Sequence, residues 1–335
     1  MRNGHSSFFG HLNCGKHSIV LDLKSAAGRN AAIALAAKCD VIVENWRPGV
    51  GYKAIAKLNP RIVYCSISGF GQVGPDAQRP AYAPIIHAAS GFDLAQVEYN
   101  DTSKPGNTAT YIADVFGGMS AYAAIQTALF HRERSGEGQY LDVALIDGML
   151  NIMATECQEV QVPVQEKVRV YPPLKTQDGF VVVAPTSQKN FEQLTRVVGR
   201  PEWLSDPRFA NSGLCEKNWA ELMTLLVGWT SLLGSRECER RLMEGGVPCT
   251  RYRTVAETMA EPQTLARGAH TRIGDPAGEY VVPNAPFQMP GLNTAARAHV
   301  PALGESTAQI LAQVLGYTPD QIRSCAVAGG AKTGH

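Results

Sequence analysis

The deciding segment for the fold is IADVFGGMSAYAAIQTALFHRERSGEGQYLDVALIDGML, residues 112–150. Its apolar residues recur at helical spacing over residues 113–134, which predicts the longest helix of the chain, about six turns. Two glycines in RSGEGQ end this helix, and YLDVAL, residues 140–145, predicts a strand directly after it. A further long helix is predicted over residues 147–160.

On the N-terminal side of this segment, short β-rich runs alternate with helical runs. SIVLDL (18–23), VIVE (41–44) and RIVYCSIS (61–68) predict strands, and helices are predicted between them over 26–38 and 53–58. This alternation is typical of a parallel sheet covered by helices. The predicted fold class is therefore α/β, with a doubly wound, Rossmann-like parallel sheet whose ligands bind beyond the carboxyl ends of the strands.

A second, smaller domain follows the deciding segment. The prolines and charges of VPVQEKVRVYPP break the pattern, and the strand GFVVVAP with several amphipathic helices comes after them. We expect residues 1–155 and 285–335 to form the large Rossmann-like domain and residues 174–270 to form a small α+β domain. Residues 156–173 and 271–284 are then the linkers.

Composition excludes several classes of protein. The 335 residues are 44% hydrophobic, and 31 Lys and Arg against 30 Asp and Glu give a formal net charge of +1. Nothing in this balance favours a nucleic acid or a membrane surface as partner. Eight scattered cysteines without a CxxC pair argue against a metal site or a dithiol redox centre. No stretch approaches the roughly 18 apolar residues of a membrane span, so we expect a cytoplasmic protein.

Three common catalytic motifs do not occur: GxSxG, GxxxxGK[ST] and HExxH. Other segments stand out instead: NCGKHSIVLDLKSAAGR (13–29), DVIVENWRPGV (40–50), LNPRIVYCSISGFGQVGP (58–75), residues 112–150, YPPLKTQDGFVVVAP (171–185), DPRF (206–209), GGVPC (245–249), NAPFQM (284–289) and ALGEST (302–307). In order and spacing they resemble the class III CoA-transferases, the family of formyl-CoA transferase and carnitine CoA-transferase, which also contains α-methylacyl-CoA racemase. The resemblance covers nearly the whole chain.

Asp114 is the candidate catalytic residue. It opens the long predicted helix, at or near its N-cap, where free backbone N–H groups and the helix dipole favour an ionised carboxylate. By itself such an aspartate is more often only a helix cap. The resemblance implies that it is the family's nucleophile, which takes the acyl group as an aspartyl anhydride and then forms an aspartyl-CoA thioester. Gly117 and Gly118, without Cβ atoms, would let the thioester approach the backbone.

The resemblance also implies where CoA binds in the large domain. Lys16, Asn45, Trp46 and Tyr82 fall on positions that line the nucleotide and pantetheine path, with Arg79 close by. Taken singly, Lys16 and Arg79 are more readily explained as surface charges. The implied partners are an acyl-CoA, which is a substrate, and a carboxylic acid acceptor. No cofactor is expected to be bound permanently.

One alternative is a 2-methylacyl-CoA racemase or epimerase of the same fold, in which a histidine and an aspartate exchange the α-proton. Where racemases carry that histidine, this chain has Tyr82, and a phenol with a pKa of about 10 in water is a poor base at neutral pH. His87 and His131 are lone histidines at helical or strand spacing, and we expect neither to be a catalytic base. The sequence favours transfer over racemisation.

The second alternative follows from the N-terminus. Class III CoA-transferases begin their sheet roughly 60 to 70 residues earlier, with strands that supply part of the nucleotide pocket. We therefore expect an N-terminally incomplete large domain with an exposed sheet edge, and a non-catalytic truncated remnant is a possible function. Family members also form homodimers in which each chain threads through its partner, so an interlocked homodimer is expected. The acids exchanged cannot be read from the sequence.

Overall fold

The computed structural model describes the chain in five stretches, residues 4–45, 51–100, 102–106, 109–162 and 170–325. The chain divides into two compact units, Met1–Gln161 with Gly268–His335, and Val162–Arg267. Residues 163–169 of the first predicted linker and 326–335 of the predicted large domain lie outside the described residues. The larger unit holds a three-stranded parallel sheet and a two-stranded antiparallel sheet, and the smaller unit holds a three-stranded antiparallel sheet.

Within the described stretches the strands are β1 (Val41–Glu44), β2 (Val63–Ser68), β3 (Gln139–Ala144), β4 (Leu174–Lys175), β5 (Phe180–Val183), β6 (Cys249–Arg251), β7 (His270–Asp275) and β8 (Gly278–Pro283). The α-helices of the same stretches are α1 (Ser7–Asn13), α2 (Ala26–Ala36), α3 (Tyr52–Leu58), α4 (Ala83–Ser90), α5 (Phe92–Tyr99), α6 (Ile112–Ser135), α7 (Leu145–Ile152), α8 (Ala154–Glu159), α9 (Gln188–Val197), α10 (Ser212–Lys217), α11 (Trp219–Thr230), α12 (Ser235–Glu244), α13 (Val255–Ala260), α14 (Pro262–Ala266), α15 (Thr307–Leu315) and α16 (Pro319–Cys325). A short 3-10 helix spans Pro201–Leu204.

The sheet of the larger unit has the strand order β1-β2-β3, and both pairings are parallel. Val63 of β2 lies opposite Val41 of β1 and Gln139 of β3. Because the strands run in one direction, their carboxyl ends lie at one edge of the sheet. The predicted α/β class with a parallel sheet is confirmed.

The strand predicted at residues 18–23 is wrong. The backbone groups of this segment bond to the C-terminal helices instead of to another strand. Val20 N–H donates to Thr307 Oγ1 (2.9 Å), and Asp22 N–H donates to the carbonyl oxygen of Cys325 (2.9 Å). The apolar alternation of SIVLDL could not distinguish a strand from an extended segment held in this way.

The deciding segment folds as predicted except at its end. The long helix is α6, and β3 follows it. The helix predicted over 147–160 is instead α7 and α8, separated by Met153, whose backbone (φ −92°, ψ 39°) leaves the helical region. The prediction of one continuous helix is wrong because neither glycine nor proline marks the break, and apolar spacing on both sides continues across it.

Helix α6 has a defined orientation relative to the sheet. Its buried residues form a stripe that begins with small side chains: Ala113, Gly117, Ala121, Ala128 and Arg132. The Arg132 guanidinium donates to the carbonyl oxygens of Asp40 (3.4 Å) and Arg61 (3.3 Å), which lie just before β1 and β2. The last turns of α6 are thereby fixed at the amino edge of the sheet, and its first turn is left at the carboxyl edge.

The smaller unit packs its helices against the antiparallel sheet β4-β5-β6. One cluster of 16 buried hydrophobic side chains joins them, with Val181 from the sheet and Phe191 and Leu222 from the helices among its members. The unit thus has one continuous core of its own.

Candidate active site

The first turn of α6 packs where β2 and β3 end. Ala113 of α6 shares a buried cluster with Ile86 of α4 and Leu145 of α7. Ile67 of β2 packs against the same cluster, and α7 begins directly after β3. The start of α6 therefore lies at the carboxyl edge of the parallel sheet, where open α/β folds bind their ligands.

Asp114 is the third residue of α6, and the N-cap residue is Tyr111. The predicted position at or near the N-cap is therefore specified as the third residue of the first turn. This turn is at the positive end of the helix dipole. Asp114 is exposed, so its carboxylate is accessible to a ligand at this edge of the sheet.

The electrostatics of Asp114 differ from expectation. Partial burial raises the pKa of Asp114 above its ordinary value, and a positive charge on His87 would lower it. The sequence predicted that the helix end would favour the ionised form, whereas the pKa shift has the opposite direction and lost hydration is its largest cause. Because the side chain stays exposed, solvent screening limits the shift. A carboxylate with reduced hydration is also a more reactive nucleophile once ionised.

His87 lies against the same helix turn. It is a residue of α4, only 1% exposed, and Ala113 N–H donates to its Nε2 over 3.1 Å. The sequence gives no reason to expect His87 to be a base, and it does not predict this contact. A signal was available, because His87 shares the buried face of α4 with Ala83 and Ile86, and a buried imidazole requires a hydrogen-bond partner.

The two glycines after Asp114 face different surroundings. A Cβ added at Gly117 would overlap Leu145 Cδ2, so this glycine allows α6 and α7 to pack closely. At Gly118 nothing lies within 4 Å of the position of an added Cβ. Gly118 therefore faces open space, whereas packing is the reason the structure gives for Gly117.

Arg79 and Tyr82 lie in the loop that joins β2 to α4. Arg79 Nη1 pairs with Asp76 Oδ2 (3.1 Å), and its guanidinium lies 4.9 Å from the ring centroid of Phe70. Phe70 packs against the cluster that contains Ala113. Tyr82 is the N-cap residue of α4 and is 77% exposed. Both side chains are therefore on the loop side of the sheet edge at which α6 begins.

The remaining predicted CoA contacts are spread more widely. Asn45 is exposed and directly follows β1 at the carboxyl edge, whereas Trp46 lies outside the described residues. Lys16 lines a cavity of about 320 Å³ with residues that include Arg297 and His299. None of the residues that line this cavity comes from α4, α6 or α7. The structure therefore does not bring Lys16 together with Asp114.

The sequence profile of CoA-transferase family III matches residues 1–307. The chain belongs to CoA-transferase family III. The predicted relationship to class III CoA-transferases, and with it the prediction of an enzyme of the CoA-transferase type, is confirmed.

Relatives in family III carry more specific names. Succinate–glutarate CoA-transferase from Agrobacterium fabrum is 30% identical over 326 residues, covering 92% of this chain and 81% of the relative. Acetyl-CoA:oxalate CoA-transferase from Acetobacter aceti is 33% identical over 301 residues, covering 85% and 76%. The crystal structure of a CAIB/BAIF family protein from Brucella suis superposes with a TM-score of 0.76 at 30% identity, covering 92% and 84%.

The described stretches contain neither a membrane-spanning helix nor a cluster of metal-binding side chains. None of the helices there combines the length and apolar character needed to cross a membrane. No group of three or more His, Cys, Asp or Glu side chains in the same stretches is arranged to hold a metal ion.

Proposed function

We propose that this protein is an acyl-CoA transferase that moves CoA between carboxylic acids, with Asp114 as the nucleophile. One observation carries the proposal: in a family III chain, an exposed carboxylate lies in the first turn of a long helix at the carboxyl edge of a parallel sheet. No histidine is needed to activate it, because an ionised carboxylate is already a nucleophile.

The proposed chemistry has two acyl intermediates on one side chain. An Asp114 oxygen attacks the thioester carbonyl and the C–S bond breaks, which gives an acyl-aspartyl anhydride and CoA thiolate. The thiolate attacks the aspartyl carbonyl, the C–O bond to the donor acyl group breaks, and the donor leaves as a carboxylate. The acceptor carboxylate then attacks the aspartyl-CoA thioester, and the reverse sequence transfers CoA to it and restores Asp114.

We propose that Asn45, Trp46, Arg79, Tyr82 and Gly118 contact the CoA thioester from the strand ends and from α6. Asn45 at the end of β1, Arg79 in the loop after β2 and Gly118 on the open side of α6 support this assignment. The contacts of Lys16 and Gly117 with CoA remain predictions. Because the named relatives act on succinate, glutarate and oxalate, small dicarboxylates are the first acids to test.

The activity test uses succinyl-CoA as donor, glutarate or oxalate as acceptor, and chromatographic separation of the CoA esters. We expect Asp114→Asn to lower the transfer rate by at least about 10³-fold, since an amide is not a nucleophile. Asp147→Asn is the matched control, because Asp147 is also an exposed third residue of its helix, α7. The control should keep its rate within about twofold of the unmodified protein. Equal rates in the two variants would exclude Asp114.

We also propose that the protein is a homodimer. Val115, Met119, Tyr122 and Phe130 are exposed and lie at helical spacing on one face of α6. An apolar face of this kind is typical of a surface that is buried in an assembly. Multi-angle light scattering should give twice the chain mass of 36.1 kDa, and a monomer at all concentrations would contradict the proposal.

A further inference from the structure

His87 contributes an acceptor to the helix that carries Asp114. The first N–H groups of an α-helix have no partner within the helix. The N-cap residue of α6, Tyr111, makes no side-chain capping hydrogen bond. Ala113, the second residue of α6, donates its N–H to His87 Nε2 instead. A side chain of α4 thus provides the acceptor that the N-cap of α6 does not.

This hydrogen bond determines the form of the imidazole. Nε2 accepts a hydrogen bond and must carry a lone pair, so the proton of the neutral ring is on Nδ1. A protonated ring would place an Nε2–H donor against the Ala113 N–H donor and break the contact. His87 is therefore an acceptor in this structure, which explains why it is not the base of a racemase.

The ring is also fixed by packing. His87 is buried, and the ring of Phe92 lies against it with centroids 5.6 Å apart. Ala113 is itself fully buried, in the cluster formed by α4, α6 and α7. The next residue along the chain is Asp114, whose carboxylate is exposed. A rigid contact therefore lies one residue before the proposed nucleophile.

We propose that His87 is a positioning residue, which holds the first turn of α6 through the Ala113 amide and thereby orients the Asp114 carboxylate for attack on the thioester. This inference rests on the proposed function. His87 contacts the backbone of α6 and not the acyl group. Its substitution therefore lowers the rate of acyl transfer to Asp114 by misorienting the carboxylate. Binding of acyl-CoA, which uses other residues, is retained.

Two substitutions at His87 distinguish its role as a hydrogen-bond acceptor from its role in filling space. His87→Gln keeps an acceptor, the amide Oε1, whereas His87→Leu has a similar size and no acceptor. We expect His87→Leu to lower kcat by about 10- to 100-fold, because the reacting carboxylate would be misplaced. The KM for acyl-CoA should change little. His87→Gln should restore most of kcat. Phe92→Leu is the packing control, since it alters the same ring contact and leaves the hydrogen bond in place.

The outcomes distinguish this inference from the function on which it rests. If the unmodified protein transfers CoA and Asp114→Asn does not, the proposed function holds. Equal kcat losses in His87→Leu, His87→Gln and Phe92→Leu would then mean that His87 only fills space, and the inference fails alone. An unchanged kcat in His87→Leu would also overturn it.

A measurement on the unsubstituted protein covers the case in which His87→Leu does not fold. Nitrogen-15 NMR of labelled histidines reports which ring nitrogen carries the proton. In the ring of His87, assigned with the His87→Gln variant, Nε2 should carry the lone pair and Nδ1 the proton. A ring protonated on Nε2 would contradict the inference, because that nitrogen could not accept from Ala113.

Discussion

The smaller unit and the first turn of α6 differ in how their side chains are packed and paired. The smaller unit has one core of 16 buried side chains, whereas the larger unit divides its core among clusters of no more than five buried residues each. The start of α6 has an N-cap without a capping side chain, then a carboxylate with a raised pKa, and two adjacent glycines in the following turn. Each of these features reduces local stability, and they coincide at the proposed nucleophile.

Charged groups show the same contrast. In the smaller unit Arg251 is 7% exposed and pairs with Glu257 (2.8 Å) and Glu261 (3.5 Å), while Arg253 pairs with Glu239 (2.9 Å) and Glu261 (3.0 Å). These buried and half-buried charges satisfy one another. The Asp114 carboxylate, by contrast, is left exposed. The charges of the smaller unit therefore pair with one another, whereas the start of α6 leaves a carboxylate open to a ligand, as the proposed function requires.

The largest effect on the free energy of unfolding is expected in the core of the smaller unit. Leu222→Ala removes a fully buried side chain and should lower the free energy of unfolding by about 2 to 5 kcal/mol. Urea unfolding followed by tryptophan fluorescence measures it, because Trp203, Trp219 and Trp229 are in this unit. Leu232→Ala, at a side chain that is 69% exposed, is the control. Equal losses of stability in the two variants would contradict the claim that one buried core stabilises the smaller unit.

The adjacent glycines of α6 should respond in opposite directions. Gly117→Ala forces a Cβ into Leu145 and should destabilise the protein by about 1 to 3 kcal/mol. Gly118→Ala meets open space and should stabilise the helix by about 0.5 to 1 kcal/mol. Thermal unfolding followed by circular dichroism measures both. Gly118→Ala should also raise KM for acyl-CoA if the thioester approaches this backbone, so stability and activity would change in opposite senses.

Acid should weaken the ion-pair network of the smaller unit. Hydrogen bonds from the Thr254 backbone and from Arg251 lower the pKa of Glu257 to about 2, from 4.5. Since the folded chain binds this proton less tightly, the contribution to stability is complete above pH 4.5 and is lost as the pH falls towards 2. Glu257→Gln should reduce the fall in unfolding midpoint across this window.

The smallest effect on stability is expected at Asp114, the proposed nucleophile, and its pH dependence has the opposite sign. The pKa of Asp114 is raised on folding, so the folded chain binds this proton more tightly than the unfolded chain. The stabilisation is complete at low pH and is lost as the pH rises through the folded-state pKa. Asp114→Asn should therefore raise the thermal midpoint slightly at pH 7 and not below pH 3.8. A lower midpoint at pH 7 would show that the carboxylate supports the fold.

The sequence predicted the parts of the fold that depend on local pattern. Helix α6 and strands β2 and β3 have strong periodicity and clear ends, and they form close to the predicted limits. The segment 18–23 has an equally clear pattern but bonds to Thr307 and Cys325, nearly 300 residues away along the chain. Periodicity reports which residues are apolar and not which backbone groups will be near them.

The candidate site was predictable only in part for the same reason. Asp114 was predicted as the candidate catalytic residue from its position at the start of a long helix and from the family resemblance. The contact between His87 and the Ala113 amide joins α4 to α6, and no spacing in the sequence specifies it. Nor does the sequence separate Gly117, which packs against Leu145, from Gly118, which faces open space. Those distinctions require the packing of three helices.

Trapping of the acyl group on Asp114 tests the central claim most directly. The protein is incubated with succinyl-CoA, treated with hydroxylamine, digested and analysed by mass spectrometry. We predict a hydroxamate on the peptide that contains Asp114, and its absence from the Asp114→Asn variant. Transfer of CoA to an acceptor acid without any modification of that peptide would contradict the account.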